Sequence, residues 1–188
     1  TFCGDGTKQA PNGDGIDEAC DDGNTDETDD CGAQCQTIVH RKVFLSSGAY
    51  SGNALGLNGL AGANAKCNAL AEPAGLTGKF KAWLSDSIDS PSTRFDTTFT
   101  GIYELPNGTI VAKGWIGLTT SDLENAIDTT EVNTVLPNDT PVWTNTAPTG
   151  APLDKSCTDW KGAGGGAIGV ISSASPDWTD IMATNVCG

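Results

Sequence analysis

Residues 43–95 read VFLSSGAYSGNALGLNGLAGANAKCNALAEPAGLTGKFKAWLSDSIDSPSTRF, and the second part of the chain is organised around this stretch. The apolar run at residues 43–45 is bounded by Ser and Gly, which predicts a short buried strand. A helix follows, with Asn58 as its candidate N-cap and Pro73 as its stop signal. Apolar and polar residues then alternate over residues 79–84. This alternation predicts a second, half-buried strand.

The apolar residues of the predicted helix recur at spacings of three and four, so they share one face. They are Leu60, Ala63, Cys67, Leu70 and Ala71. This spacing points Cys67 toward the core. In a chain with seven cysteines, an inward-facing cysteine is more typical of half a disulfide than of a reactive thiol.

Composition limits the classes of partner and compartment. The 188-residue chain has a net charge of -14, which disfavours nucleic acid and anionic membranes as partners. It has no apolar run of about 18 residues, so no membrane insertion is expected. Seven cysteines beside one Met and one His indicate an oxidising compartment. We therefore expect a secreted protein or one displayed on the extracellular surface.

Two domains are predicted: an acidic cysteine-rich module at residues 1–37 and a larger domain at residues 38–188. Residues 1–36 contain ten acids and one base, Lys8, so this segment carries -9 of the net charge. Such a segment cannot fold on a hydrophobic core and needs cross-links or a metal. Its cysteines are enough for two disulfides, and the three ways of pairing them stay open. They are Cys3, Cys20, Cys31 and Cys35.

The acidic module contains a candidate calcium site, because calcium prefers clustered carboxylate and amide oxygens. The candidate ligands are Asp5, Asp14, Asp21, Asp22, Asn24, Asp29 and Asp30. Asp22, Asn24 and Asp26 match the first three ligand positions of an EF-hand loop, but Glu27 and Ala33 replace its Gly and its bidentate Glu. The alternative is an exposed acidic knot without a metal.

No group of residues predicts an enzyme. His40, the only histidine, lies in the linker at residues 37–42 and is expected to be solvated. A hydrolase using carboxylates such as Glu124 and Asp128 has no support beyond the presence of acids. The glycine tract at residues 162–169 contains GxGxxG without the strand and helix that a dinucleotide site needs, so we expect a flexible loop.

The remaining chain predicts a hairpin, a polar loop and core tryptophans. Residues 99–103 and 109–112 are candidate strands joined by a turn that contains Asn-Gly, a strong hairpin signal. Residues 119–141 are polar and loop-like. Three tryptophans are expected to be core residues rather than a platform for sugars. They are Trp143, Trp160 and Trp178.

Several separated strings carry a family resemblance. They are VFLSS, GLAGANAKCNALAEPAGLTGKFKAWLSDS, SPSTRF, YELPNGTIVAKGW, DLENAIDTTE, VWTNT and CTDW. From about Val43 onward, the chain resembles the bacterial secreted domain DUF1554, which is similar in architecture to C-type lectin-like and endostatin-like domains. The resemblance implies an α+β C-type lectin-like fold of short antiparallel strands with one or two helices. Residues 1–36 resemble the cysteine-rich repeat of myxobacterial surface proteins.

The resemblance also implies roles for particular residues. The tetrapeptide at residues 115–118 is similar to the WIGL core strand of C-type lectin-like domains. Sugar-binding members carry Glu-Pro-Asn or Gln-Pro-Asp, and later Trp-Asn-Asp, as calcium ligands. The nearest strings are at residues 136–139 and 178–180, and each lacks one ligand. The standard calcium-dependent binding of sugars is therefore not expected.

Three cysteines in the second domain leave one without a partner. Domains of the resembled family continue past the cysteine that matches Cys187, which implies a Cys157–Cys187 disulfide and a partner for Cys67 in a missing tail. The rival pairing joins Cys67 to Cys187 and leaves Cys157 free or bonded between chains.

We expect the chain to be a non-enzymatic extracellular or cell-surface module for binding or adhesion. The loops after Leu118 would form its variable face, and its ligand would be a glycan or a protein. The alternative is a structural subunit of an extracellular filament or surface layer that binds copies of itself.

Overall fold

The computed structural model describes residues 2–53, 58–120 and 122–187. The chain forms two compact units, Thr1–Arg41 and Lys42–Gly188. The boundary therefore falls a few residues beyond the one predicted at residue 37. Within the described residues, no helix is long and apolar enough to span a bilayer.

Disulfides hold the first unit together. Cys3 pairs with Cys35, and Cys20 pairs with Cys31. Cys31 and Cys35 are buried, whereas the large apolar residues Phe2 and Ile16 are exposed. The disulfides thus stabilise this unit in the way that a hydrophobic core stabilises larger domains.

The second unit mixes short strands and short helices, so the predicted α+β class is confirmed. Its elements, with β1 beginning before the boundary, are β1 (His40–Lys42), α1 (Gly59–Ala71), α2 (Pro91–Arg94), β2 (Ile102–Glu104), β3 (Ile110–Lys113), α3 (Gly114–Thr120), β4 (Pro141–Trp143), α4 (Cys157–Trp160), β5 (Gly165–Val170), a 3-10 helix (Pro176–Trp178) and β6 (Thr184–Val186).

The strands form two three-stranded sheets, with the orders β1-β2-β3 and β4-β5-β6. Strands β2 and β3 are antiparallel, and the turn between them is closed by a hydrogen bond from Gly108 N to Leu105 O. The predicted Asn-Gly hairpin is therefore confirmed. In the second sheet, β5 pairs antiparallel with both of its neighbours.

The prediction of a flexible glycine loop is wrong, because residues 165–170 form the central strand β5. The glycines serve close packing in this strand. A Cβ atom at Gly166 would lie 2.7 Å from Cys157 Sγ, and one at Gly169 would clash with the carbonyl oxygen of Trp178. Glycine is required where other groups approach the backbone this closely.

Helix α1 is confirmed, but the predicted strand at residues 79–84 is not a strand. Instead of a neighbouring strand, side chains of α1 form hydrogen bonds with the backbone of this segment. Asn68 Nδ2 donates to Phe80 O at 2.7 Å, Phe80 N donates to Asn68 Oδ1 at 3.0 Å, and Ala82 N donates to Asn64 Oδ1 at 2.8 Å. On the other side, Arg94 Nη2 donates to the carbonyl oxygens of Ala82 and Leu84.

Two further strand predictions are corrected. Residues 43–45 contribute only one isolated bridge, between Leu45 and Thr130. Val43 N donates to Glu104 O at the end of β2, and Leu45 N donates to Thr129 O in the loop after α3, so no single strand pairs with the whole segment. The WIGL tetrapeptide at residues 115–118 lies in helix α3 rather than in a strand. Gly114, at φ +65°, turns the chain out of β3, and the buried Trp115 and Leu118 lie one helical turn apart.

The turn α4 is an unusual part of the second unit. Its four residues have φ between +52° and +61°, the left-handed region that costs L-residues about 1–2 kcal/mol each. A disulfide joins Cys157 to Cys187, and both cysteines are fully buried. At the other end, the buried Trp160 donates from Nε1 to Ser85 O at 2.9 Å. The turn is therefore fixed at both ends.

We predict that Asn68→Ala lowers the free energy of unfolding by about 1–3 kcal/mol, because it leaves the backbone groups of Phe80 without partners. Chemical denaturation monitored by tryptophan fluorescence measures the change. Asn58→Ala is the matched control, since the Asn58 side chain makes no capping hydrogen bond. Equal stability of the two variants would contradict the structural role of Asn68.

Candidate functional site

The polar loop after α3 contains a small hairpin at residues 129–135. An antiparallel bridge joins Thr129 to Val135, and Thr130 N donates to Thr134 O at 2.9 Å. The turn is closed by Asn133 N, which donates to Thr130 O, and Asn133 has φ +61°. Asparagine tolerates this left-handed conformation better than most residues. We call residues 129–135 the loop hairpin.

One side of the loop hairpin is fixed to the strand-like segment that begins the second unit. Leu45 N donates to Thr129 O at 2.9 Å. The carboxylate of Glu131 accepts two hydrogen bonds from Ser47, one from its backbone N at 3.0 Å and one from its hydroxyl group. Thr129, Thr130 and Glu131 are all buried. These contacts hold the hairpin in one position although it lies in a long loop.

The second half of the loop hairpin, residues 132–135, exposes two apolar side chains. Val132 is 58% exposed and Val135 is 60% exposed. Buried polar residues and exposed β-branched residues reverse the usual arrangement of a surface loop. A rigid loop that exposes apolar side chains is a candidate contact surface.

The strings at residues 136–139 and 178–180, which come nearest to the calcium ligands of sugar-binding lectins, do not form a metal-binding cluster. Asp139 Oδ1 accepts from Ser172 Oγ at 3.3 Å, and Asp180 Oδ1 accepts from Met182 N at 2.8 Å. Within the described residues, neither aspartate belongs to a group of three or more His, Cys, Asp or Glu ligand atoms.

The predicted calcium ligands of the first unit serve as hydrogen-bond acceptors for nearby backbone. Asp22 Oδ1 accepts from Asn24 N, Asn24 Oδ1 from Asp26 N, and Asp26 Oδ1 from Thr28 N. The residues that match an EF-hand thus form three successive Asx turns. Asp5 also accepts a local backbone hydrogen bond, from Thr7 N.

Hydrogen bonds lower the pKa of two carboxylates in this set, those of Asp21 and Asp29. Partial desolvation acts to raise the pKa of Asp21, but hydrogen bonds from the backbone of Gly23, Gly6 and Gly4 outweigh it and lower that pKa. The pKa of Asp29 is lowered chiefly by the hydrogen bond from Asn24 Nδ2 at 3.0 Å. Both carboxylates therefore already have the donors that stabilise their charge.

Only one group in the described residues has the ligand types and spacing of a metal site: Glu18, Asp21 and Cys35. It includes Asp21 from the predicted set but no second predicted aspartate. Cys35 is in a disulfide and offers no thiolate. Glu18 already accepts hydrogen bonds from Gln9 N and Asn12 Nδ2. The described side chains therefore fit calcium poorly, which favours the alternative of an exposed acidic segment without a metal.

The remaining predicted acids and His40 are placed apart from such a group. Asp14 is exposed, and the side chain of Asp30 is 97% exposed. His40 is half-buried rather than solvated, because its Nε2–H donates to Asp29 O at 3.1 Å. Glu124 is exposed, while the carboxylate of Asp128 accepts a hydrogen bond from the Thr129 hydroxyl group.

The cysteines and tryptophans of the second unit have structural positions. The Cys157–Cys187 disulfide is the first of the two pairings considered above, and Cys67 is free and half-buried. Burial raises the pKa of the Cys67 thiol to about 11. Trp160 and Trp178 are buried, and Trp143 is half-buried with its ring 6.0 Å from that of Trp160.

Comparison with known proteins adds no relative. No protein-family model matches the chain, and no curated protein matches it.

The loop hairpin lies within the variable face that the sequence predicts, but its contacts are not visible in the sequence. Glu131 is one of several scattered acids in the sequence, and its contact with Ser47 joins residues 84 positions apart. The signal that the sequence does offer is local: three threonines, a turn-forming Asn133 and two valines in a stretch that is otherwise polar.

We predict that Glu131→Ala destabilises the second unit by about 1–3 kcal/mol, because the backbone N–H and hydroxyl group of Ser47 lose their acceptor. Thermal and chemical denaturation measure the effect. Glu124→Ala removes an exposed carboxylate from the same loop and should change stability by less than about 0.5 kcal/mol. A Glu131 variant as stable as this control would show that the contact does not fix the hairpin.

We also predict that removing calcium leaves the melting temperature unchanged, because local donors already bond five of the seven predicted ligands, namely Asp5, Asp21, Asp22, Asn24 and Asp29. Scanning calorimetry in excess chelator and in calcium tests this. Magnesium at the same ionic strength controls for general screening of the acidic unit. A site held at about 100 times its Kd would add about 2.7 kcal/mol, so a rise specific to calcium would restore the calcium hypothesis.

Proposed function

We propose that the chain is a non-enzymatic extracellular or cell-surface binding module whose binding face includes the loop at residues 119–141. The observation that carries the proposal is the loop hairpin, in which buried Thr129–Glu131 hold the exposed Val132 and Val135 in place. A pre-ordered contact loop loses less conformational entropy on binding than a flexible one.

The extracellular setting rests on the cysteines. Six of the seven form disulfides, and such cross-links persist in oxidising compartments. The resemblance to DUF1554 and its C-type lectin-like architecture agrees with this setting and forms part of the proposal.

A filament whose subunits are joined by disulfides is less well supported than a binding module. The remaining thiol, that of Cys67, is half-buried, and burial raises its pKa to about 11, which further lowers its already small thiolate fraction at neutral pH. The thiolate is the form that enters disulfide exchange. A role for Cys67 in linking subunits is therefore disfavoured relative to binding through the loop face.

We predict saturable binding of the intact chain to a ligand on an array of purified extracellular proteins and glycans. Fluorescently labelled chain at physiological salt is the probe, and titration of each positive spot gives its Kd. The Glu131→Ala variant should bind at least about tenfold more weakly, because a loosened hairpin must be ordered on binding. Absence of saturable binding across the array would contradict the proposed function.

A further inference from the structure

The exposed part of the loop hairpin is apolar, and its surroundings are acidic. Residues 119–141 contain five acids and no Lys or Arg. Asp128 lies at the base of the hairpin, where its carbonyl oxygen accepts a hydrogen bond from Leu136 N. Asp139 follows the hairpin and is exposed. Two valines are thus presented within a segment of uniformly negative charge.

The negative charge of the loop disfavours partners with an anionic surface. An anionic surface would be repelled by the loop and by the net charge of -14, whereas Lys and Arg side chains would be attracted. The carboxylate of the buried Glu131 already accepts hydrogen bonds from Ser47, so the charge offered to a partner comes from the other acids of the loop: the exposed Asp122, Glu124 and Asp139 and the half-buried Asp128. Electrostatic complementarity therefore points to a basic surface.

The chemistry of the loop also favours protein over glycan. Sugar rings commonly stack on exposed aromatic side chains, but residues 119–141 contain no Phe, Tyr or Trp. Trp115, Trp160 and Trp178 are buried elsewhere in the second unit. Exposed valines instead match the apolar side chains that form the centre of protein interfaces.

We propose that the loop hairpin binds a protein surface on which apolar side chains are bordered by Lys and Arg. Val132 and Val135 contact the apolar centre, and Asp128 and Asp139 face the basic border. This inference rests on the proposed binding function and adds the partner class and the contact residues.

The test uses an array of purified extracellular proteins, with isoelectric points from acidic to basic, printed beside glycans. The intact wild-type chain is compared with V132T/V135T, which keeps β-branched side chains but removes apolar contact. V186T is the matched control, because Val186 is 81% exposed and lies in β6. Circular dichroism and thermal melts establish that each variant is folded.

We expect the wild-type hits to be basic proteins and V132T/V135T to bind them at least about tenfold more weakly, a change of about 1.4 kcal/mol. V186T should bind like the wild type. D128N/D139N keeps the side-chain acceptors that bond Thr129 and Ser172 while removing charge. It should bind more weakly and show a smaller dependence of Kd on salt.

The outcomes separate this inference from the proposed function. Basic hits that V132T/V135T binds as tightly as the wild type would overturn the assignment of the hairpin. Saturable binding to glycans alone, or to acidic proteins alone, would overturn the partner class and leave a binding function in place. No saturable binding at all would overturn both.

Discussion

The second unit depends on the hydrogen bonds that two asparagine side chains of α1 make with the backbone of residues 80–82. Asn64 and Asn68 lie one helical turn apart, so their amides meet alternate residues of an extended segment. Arg94 bonds the carbonyl oxygens of the same segment. This part of the chain thus packs between a helix and an arginine without a partner strand, and side chains bond the backbone groups of Phe80 and Ala82 that a sheet would otherwise pair.

The same segment leads into a second set of contacts at Ser85. Its carbonyl oxygen accepts from Trp160 Nε1 and from Asn145 Nδ2, and its hydroxyl group bonds that of Thr146. Asn145 is fully buried and also accepts from Lys155 N. This polar network, together with the Cys157–Cys187 disulfide, holds the left-handed turn α4 against β5. The strain of that turn is offset by contacts at both of its ends.

Carboxylates act as hydrogen-bond acceptors that build local structure in both units. In the first unit they accept backbone N–H groups and build turns, which explains how so acidic a segment folds around two disulfides. In the second unit, Glu131 uses its carboxylate to fix a loop that exposes Val132 and Val135. An acidic residue is therefore a structural acceptor in both places, and the apolar residues beside it provide the candidate contact surface.

The sequence by itself determined helix α1, the Asn-Gly hairpin and the disulfide-dependent acidic module, because local periodicity, turn chemistry and composition carry that information. The α+β class was an expectation from the family resemblance of the sequence, and the short strands and helices of the structure agree with it. Only the tertiary structure decided that residues 79–84 pair with side chains, that the glycine tract is the central strand β5, and that Trp115 lies in a helix. It also decided the position of the loop hairpin through Glu131 and Ser47. These features depend on contacts between residues far apart in the chain, which local patterns do not encode.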